Sequence, residues 1–163
     1  MLGIDATFDH VAHAATSIRA MLPVYRDLLG GEFVGGGDNP RVGFRTIQLR
    51  FKGGGRVELL EPLAGSTFLD SFLARNGNGG LHHLTFKVPD ILAAIESAER
   101  NGLAPFGVHL GNPIWQEAFL HPKRAHGALI QIAQSSFDTS APMDPPRVTL
   151  EEFLDAGGGY FGP

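Results

Sequence analysis

Cysteine is absent from the 163 residues, which excludes disulfides, thiolate catalysis and every cysteine-based zinc site. Any metal held by this chain must be held by His, Asp, Glu or Gln. Long apolar runs are missing too, and nothing approaches the roughly 18–20 residues of a membrane-spanning helix. Basic residues never cluster beyond the pair Lys123-Arg124, and 17 acidic residues against 13 basic ones give a net charge of −4. Phosphate binding needs a concentrated basic face, so nucleic acid is not an expected partner. The N-terminus carries no basic segment followed by an apolar one, so the expected location is the cytoplasm. What remains is ordinary globular material: 43% hydrophobic and 18% charged residues suffice to build one core. The length suits one domain, or two small units fused around that core.

Against these absences stands an internal repeat. His83 follows His10 by 73 positions, and Gln131 follows Glu58 by the same 73. The offset also carries Ile18 onto Ile91, Phe33 onto Phe106, and Val57-Glu58-Leu59 onto Ile130-Gln131-Ile132, all without a gap. A fixed offset of this kind is the signature of a duplicated supersecondary unit.

The order of elements agrees. Residues Phe8 to Ala15 alternate as a strand, and Thr16 or Ser17 can cap a helix through Ile18, Met21, Leu22, Tyr25, Leu28 and Leu29. Pro23 predicts that the regular helix starts only near Leu22. Gly30-Gly31 ends it, Glu32 to Val34 reads as a short strand, and residues 35–40 read as a glycine-rich loop able to move as a lid. Val42 to Phe51 and Arg56 to Glu61 form a hairpin around Gly53-Gly54-Gly55. The second copy runs Leu81 to Val88, a helix from Asp90, a short strand at Pro105 to Val108, then strands at Trp115 to Leu120 and Ala128 to Gln134. The expected division is a first βαβββ module at 1–62, a linker with a short helix at 63–79, a second module at 80–134, and a tail at 135–163. In that tail Pro142, Pro145 and Pro146 mark an extended stretch, Thr149 caps a helix through Ala156, and the end at Gly157-Gly158-Gly159 has no partner in the first half. The fold class expected is α+β, with an eight-stranded mixed sheet cupped around a site.

In each half the His lies on the first strand and the Glu or Gln on the last. Side chains alternate faces along a strand, so His10 shares a face with Ala12 and Ala14, and His83 shares one with Thr85 and Lys87. One curved surface would gather His10, Glu58, His83 and Gln131. Two imidazoles, a carboxylate and an amide oxygen suit a divalent ion such as Zn, Ni, Co, Fe or Mn. Arg45 can bind a carboxylate or phosphate of a small-molecule substrate through its planar fork. Gln48 and His121 are also related by the 73-residue offset, and both are candidates to line the cup.

Three segments, Val57-Glu58-Leu59-Leu60-Glu61-Pro62-Leu63, Gly80-Leu81-His82-His83-Leu84-Thr85-Phe86 and Phe119-Leu120-His121-Pro122-Lys123, together with Phe8-Asp9-His10-Val11-Ala12, resemble the vicinal oxygen chelate superfamily. They are most similar to its methylmalonyl-CoA epimerase-like branch. The resemblance covers roughly residues 7–134. It implies paired βαβββ modules, a divalent metal on His10, Glu58, His83 and Gln131, and a homodimer. The chain departs from that pattern twice. Gln131 stands where those epimerases carry a glutamate that serves as a base, and Asn39-Pro40-Arg41, with Asp38 the nearest acid, stands where they carry the other.

The expected activity is removal of a proton next to a metal-bound carbonyl, by an isomerase or lyase, with Glu58 as the catalytic base. Two alternatives share the fold: a ring-cleaving non-haem Fe(II) dioxygenase and a binding protein without catalysis.

Overall fold

The computed structural model describes residues 3–136 and 147–158. Strand β1 spans Thr7–Ala15, helix α1 Ile18–Leu22, β2 Glu32–Asn39, β3 Phe44–Arg50, β4 Arg56–Pro62 and α2 Asp70–Asn76. Then follow β5 at Gly79–Lys87, α3 at Ile91–Arg100, β6 at Phe106–His109, β7 at Trp115–Leu120, β8 at Ile130–Ser135 and α4 at Leu150–Ala156. The strands hydrogen-bond in the order β2-β3-β4-β1-β5-β8-β7-β6. β1 runs parallel to β4, and β5 parallel to β8. The pairs β2/β3, β3/β4, β6/β7 and β7/β8 are antiparallel. The class is therefore α+β with an eight-stranded mixed sheet, and strand-helix-three strands occurs twice.

The repeat reaches the level of individual hydrogen-bonded partners. Along β1 and β4, Val11 lies opposite Val57, Ala12 opposite Glu58, His13 opposite Leu59 and Ala14 opposite Leu60. Along β5 and β8, Leu84 lies opposite Ile130, Thr85 opposite Gln131, Phe86 opposite Ile132 and Lys87 opposite Ala133. The 73-residue offset turns each pair of the first set into the corresponding pair of the second.

Two compact units divide the chain, one comprising Met1–His10 and His83–Thr139, the other Val11–His82 and Ser140–Pro163. In the first unit, α3 buries Ile91, Ala94 and Ala98 on one stripe, the i, i+3, i+7 spacing of an amphipathic helix. Ile91 and Ala94 pack with Val88, Ala118 and Ile132. Asp90 caps the helix by accepting from the Ala93 amide, and Gln134 Oε1 accepts from the Ile91 amide. In the second unit, Ile18, Met21 and Leu22 of α1 pack with Ile47, Leu49 and Leu59 of the sheet and with Leu150, Phe153 and Leu154 of α4. The helix expected at residues 150–156 is present with a full capping box between Thr149 and Glu152. Among the described residues, no helix is long and apolar enough to cross a membrane.

Two expectations change. The regular helix lies before Pro23, not after it: Ser17 caps α1, which runs from Ile18 to Leu22. Proline has no N–H to donate to the carbonyl four residues back, and from Pro23 to Leu28 the chain winds on as a π-helix. Residues 35–40 are likewise not a lid loop. Gly35, Gly36 and Gly37 lie within β2, opposite Gln48, Ile47 and Thr46, after an irregularity between Phe33 and Gly35. Glycine is required at Gly36 because a Cβ there would stand 2.6 Å from the Thr46 carbonyl oxygen and 3.0 Å from the Phe153 ring. The prolines at 142, 145 and 146, and Gly159, lie outside the described residues.

Gly36→Ala is expected to destabilise the protein by about 1–3 kcal/mol, as overpacking against fixed backbone does. Equilibrium urea unfolding checks it, and an unchanged midpoint would mean that α4 is not seated on β2 as described.

Candidate functional site

The first unit carries a continuous chain of polar side chains through its interior. His10 on β1 is buried, and its Nδ1 lies 2.6 Å from Oδ2 of Asp9, which is also buried. His10 Nε2 lies 3.0 Å from the hydroxyl of Thr85 on β5. That hydroxyl donates to Oε1 of Gln131 on β8 at 2.6 Å. Gln131 Nε2 donates to Oε2 of Glu117 on β7 at 2.6 Å, and the Trp115 indole N–H donates to the same oxygen at 2.9 Å. Lys87 Nζ stands 3.9 Å from Asp9 Oδ1. The His10 and His83 rings lie edge to face, 5.8 Å between centroids.

The bond directions follow from one charge. A carboxylate only accepts, so Glu117 draws the amide nitrogen of Gln131 and turns its oxygen towards Thr85. The Thr85 hydroxyl has a single proton and donates it to that oxygen, so it accepts from His10 Nε2. Asp9 holds the other imidazole nitrogen. Strand alternation accounts for the placement: Thr85 lies two residues beyond His83, and Glu117 and Gln131 stand diagonally on one face of the β7/β8 pair.

In the second unit, Glu58 on β4 lies opposite Ala12, which is two residues beyond His10 on β1. Glu58 Oε1 accepts from the Thr46 hydroxyl at 2.8 Å and from Gln48 Nε2 at 3.3 Å. Gln48 Oε1 is buried and has no hydrogen-bond donor among the described residues. His82 packs edge-on against Phe72, 4.9 Å between centroids. Burial lowers its pKa below the usual histidine value, and the Glu58 charge partly opposes that shift.

Of the expected site residues, the first unit thus brings His10, His83 and Gln131 into one neighbourhood, and the second sets Gln48 beside Glu58. His121 stands apart. It is exposed in the turn after β7, where its Nδ1 accepts from the Lys123 amide at 3.1 Å and its ring packs on Phe106. Arg45, expected to bind substrate, is engaged within the protein. Its guanidinium makes a two-point bond to Asp38 at 2.7 and 3.0 Å, donates to the Leu154 carbonyl at 3.0 Å, and stacks 5.3 Å above the Phe153 ring. Arg45 ties α4 to the sheet. The same hydrogen bonds from Arg45 hold the Asp38 carboxyl below the usual carboxylate range. Asp9, Thr85, Glu117 and Thr46 were not singled out from the sequence. Alternation alone points to Thr85, on the face of His83; Asp9 is the chain neighbour of His10, and strand register is needed for Glu117 and Thr46.

The donor types fit a divalent cation. Asp9 fixes one nitrogen of His10, as outer carboxylates do for metal-binding imidazoles, and Nε2, bonded here to Thr85, would become a ligand on giving up its proton. Gln131 presents oxygen to Thr85, and Gln48, whose nitrogen bonds Glu58, has a buried oxygen of the kind a cation satisfies.

Residues 9–119 match the family model described as Glyoxalase/Bleomycin resistance protein/Dioxygenase superfamily. The ethylmalonyl-CoA/methylmalonyl-CoA epimerase of Cereibacter sphaeroides is 34% identical over 77% of this chain and 96% of its own length. Methylmalonyl-CoA epimerase from Mycobacterium tuberculosis superposes with a TM-score of 0.72 at 26% identity, covering 87% of this chain and 97% of that one. A single-site variant of the Streptomyces coelicolor methylmalonyl-CoA epimerase, in complex with 2-nitronate-propionyl-CoA, gives a TM-score of 0.69 at 27% identity, with coverages of 83% and 98%.

The Asp38–Arg45 pair makes stability depend on pH in one direction. A carboxyl whose folded pKa is lowered contributes above its unfolded value of about 3.9 and loses that contribution as pH falls through the lower folded value. Asp38→Asn should therefore destabilise the protein at neutral pH and flatten its acid unfolding below about pH 4. Urea midpoints measured from pH 7 to pH 3 check this; parallel curves for the two proteins would count against it.

Proposed function

Since the chain belongs to the Glyoxalase/Bleomycin resistance protein/Dioxygenase superfamily, we propose that it is a divalent-metal-dependent isomerase of the epimerase type. It removes the proton next to the thioester carbonyl of a 2-carboxyacyl-CoA, the substrate class named for its relatives. On this reading the residues that hold the cation are His10, Glu58, His83 and Gln131. The observation that carries this reading is the pair of equivalent registers, Ala12 opposite Glu58 and Thr85 opposite Gln131. Each sets an oxygen donor from the last strand of a module on the face, and two residues along, from that module's histidine.

A divalent ion bound there supplies a Lewis acid for the charge that develops on the carbonyl oxygen. The protein's own part is proton transfer and positioning. Glu58 is the base, a carboxylate that would leave the ion to take the proton, with Thr46 and Gln48 donating to its Oε1. Gln131 cannot take a proton at neutral pH, so its part is to offer an oxygen.

Two measurements test the proposal. His83→Ala should lose its metal, read by elemental analysis of protein purified without added metal; full occupancy would contradict the ligand set. In D2O, the Co2+-loaded protein should exchange the 2-proton of methylmalonyl-CoA, seen by proton NMR. Glu58→Gln should slow that exchange by about 10²–10⁴-fold, the usual contribution of a positioned base. Undiminished exchange in that variant would remove Glu58 from the mechanism.

A further inference from the structure

The interior chain of the first unit ends on a carboxylate that the proposed reaction does not use. Glu117 accepts from Gln131 Nε2 at 2.6 Å and from the Trp115 indole at 2.9 Å, both on Oε2. A glutamine side chain presents an oxygen at one end and two N–H donors at the other, of nearly equal size. Only its neighbours decide which end faces a given direction. At Gln131 the neighbours are Glu117 on β7 and Thr85 on β5, and Thr85, carrying both a donor and a lone pair, can satisfy either end. Glu117 cannot, because an ionised carboxylate accepts and never donates.

We infer that Glu117 is a positioning residue that locks the Gln131 amide with its oxygen towards Thr85, making position 131 an oxygen donor. This rests on the reading above, in which Gln131 offers its oxygen to a cation. Without Glu117 the amide is free to turn, and half of its orientations would present N–H groups to the ion.

Trp115 is the only tryptophan in the chain, so its indole N–H gives a single unambiguous NMR signal on the same Glu117 oxygen. In metal-free protein, the Gln131 side-chain amide should show well-separated protons that exchange slowly. In Glu117→Ala these should exchange at least about tenfold faster, and the Trp115 indole signal should move upfield. This arm needs no metal, so it decides the role of Glu117 even if the wild-type protein binds none, an outcome that would defeat only the proposed function. Calorimetry with Zn2+ forms the second arm: Glu117→Ala should bind about 10–100-fold more weakly, the usual loss when an outer-shell partner of a ligand is removed. Glu117→Gln keeps an acceptor oxygen and should lose less. Gln131→Glu alone would set two carboxylates in contact and lower the melting temperature, and Glu117→Gln added to it should recover most of that loss. Unchanged amide exchange in a folded Glu117→Ala protein, or Zn2+ affinity within twofold of wild type, would overturn the assignment. So would a Gln131→Glu protein as stable as the double variant.

Discussion

Parallel pairing between the first and last strand of each module is the constraint on which everything else hangs. A parallel pair fixes which residues stand abreast, and a slip by one residue would turn every side chain to the opposite face. Here Ala12 abreast of Glu58 and Thr85 abreast of Gln131 set the polar side chains on one face of their strands. The neighbours on the other face make the register expensive to change. Leu59 and Ile132 are buried in their units' cores, and a slip would exchange each of them for a Glu or a Gln.

Register alone does not keep polar groups inside a protein. Asp9, His10, Thr85 and Gln131 are all buried, and a buried group left without a partner costs about 1–3 kcal/mol. The interior chain meets that demand by passing each bond to the next residue, from Asp9 through His10, Thr85 and Gln131 to Glu117 and Trp115. Carboxylates accept at Asp9 and at Glu117, so His10 donates to Asp9 and every other donor in the chain is directed towards Glu117. A network ordered in this way has little freedom to rearrange, which is the condition a ligand site needs.

Much of this was legible in the sequence because duplication writes itself twice. The offset shared by His10, His83, Glu58 and Gln131 set out one order of strands and helices twice, and the structure repeats that order. Three things were not legible. Gly35-Gly36-Gly37 has the composition of a turn, yet lies within β2, because Phe153 from the far end of the chain packs where a side chain at Gly36 would be. Arg45 read as a free cation because its partners, Asp38 and the Leu154 carbonyl, are set by a hairpin and by the docking of α4. Glu117 read as one more charged residue, since its bond to Gln131 depends on pairing between β7 and β8. Local pattern reports faces and periods; it does not report which distant group arrives on them.

That last distinction also decides which carboxylate can act as a base. Asp38 is bonded by a guanidinium, which stabilises its anion and weakens its pull on a proton. Asp9 is engaged by His10 and stands near Lys87. Glu117 is engaged by an amide and an indole, and its geometry is used in orienting Gln131. Glu58 accepts on Oε1 from a hydroxyl and an amide, both neutral. Neutral donors fix a carboxylate in place while depressing its proton affinity less than a paired cation does. Thr46 and Gln48 hold Glu58 through neutral donors, whereas Asp38 is held by a cation, and that contrast is the ground for proposing Glu58 as the base.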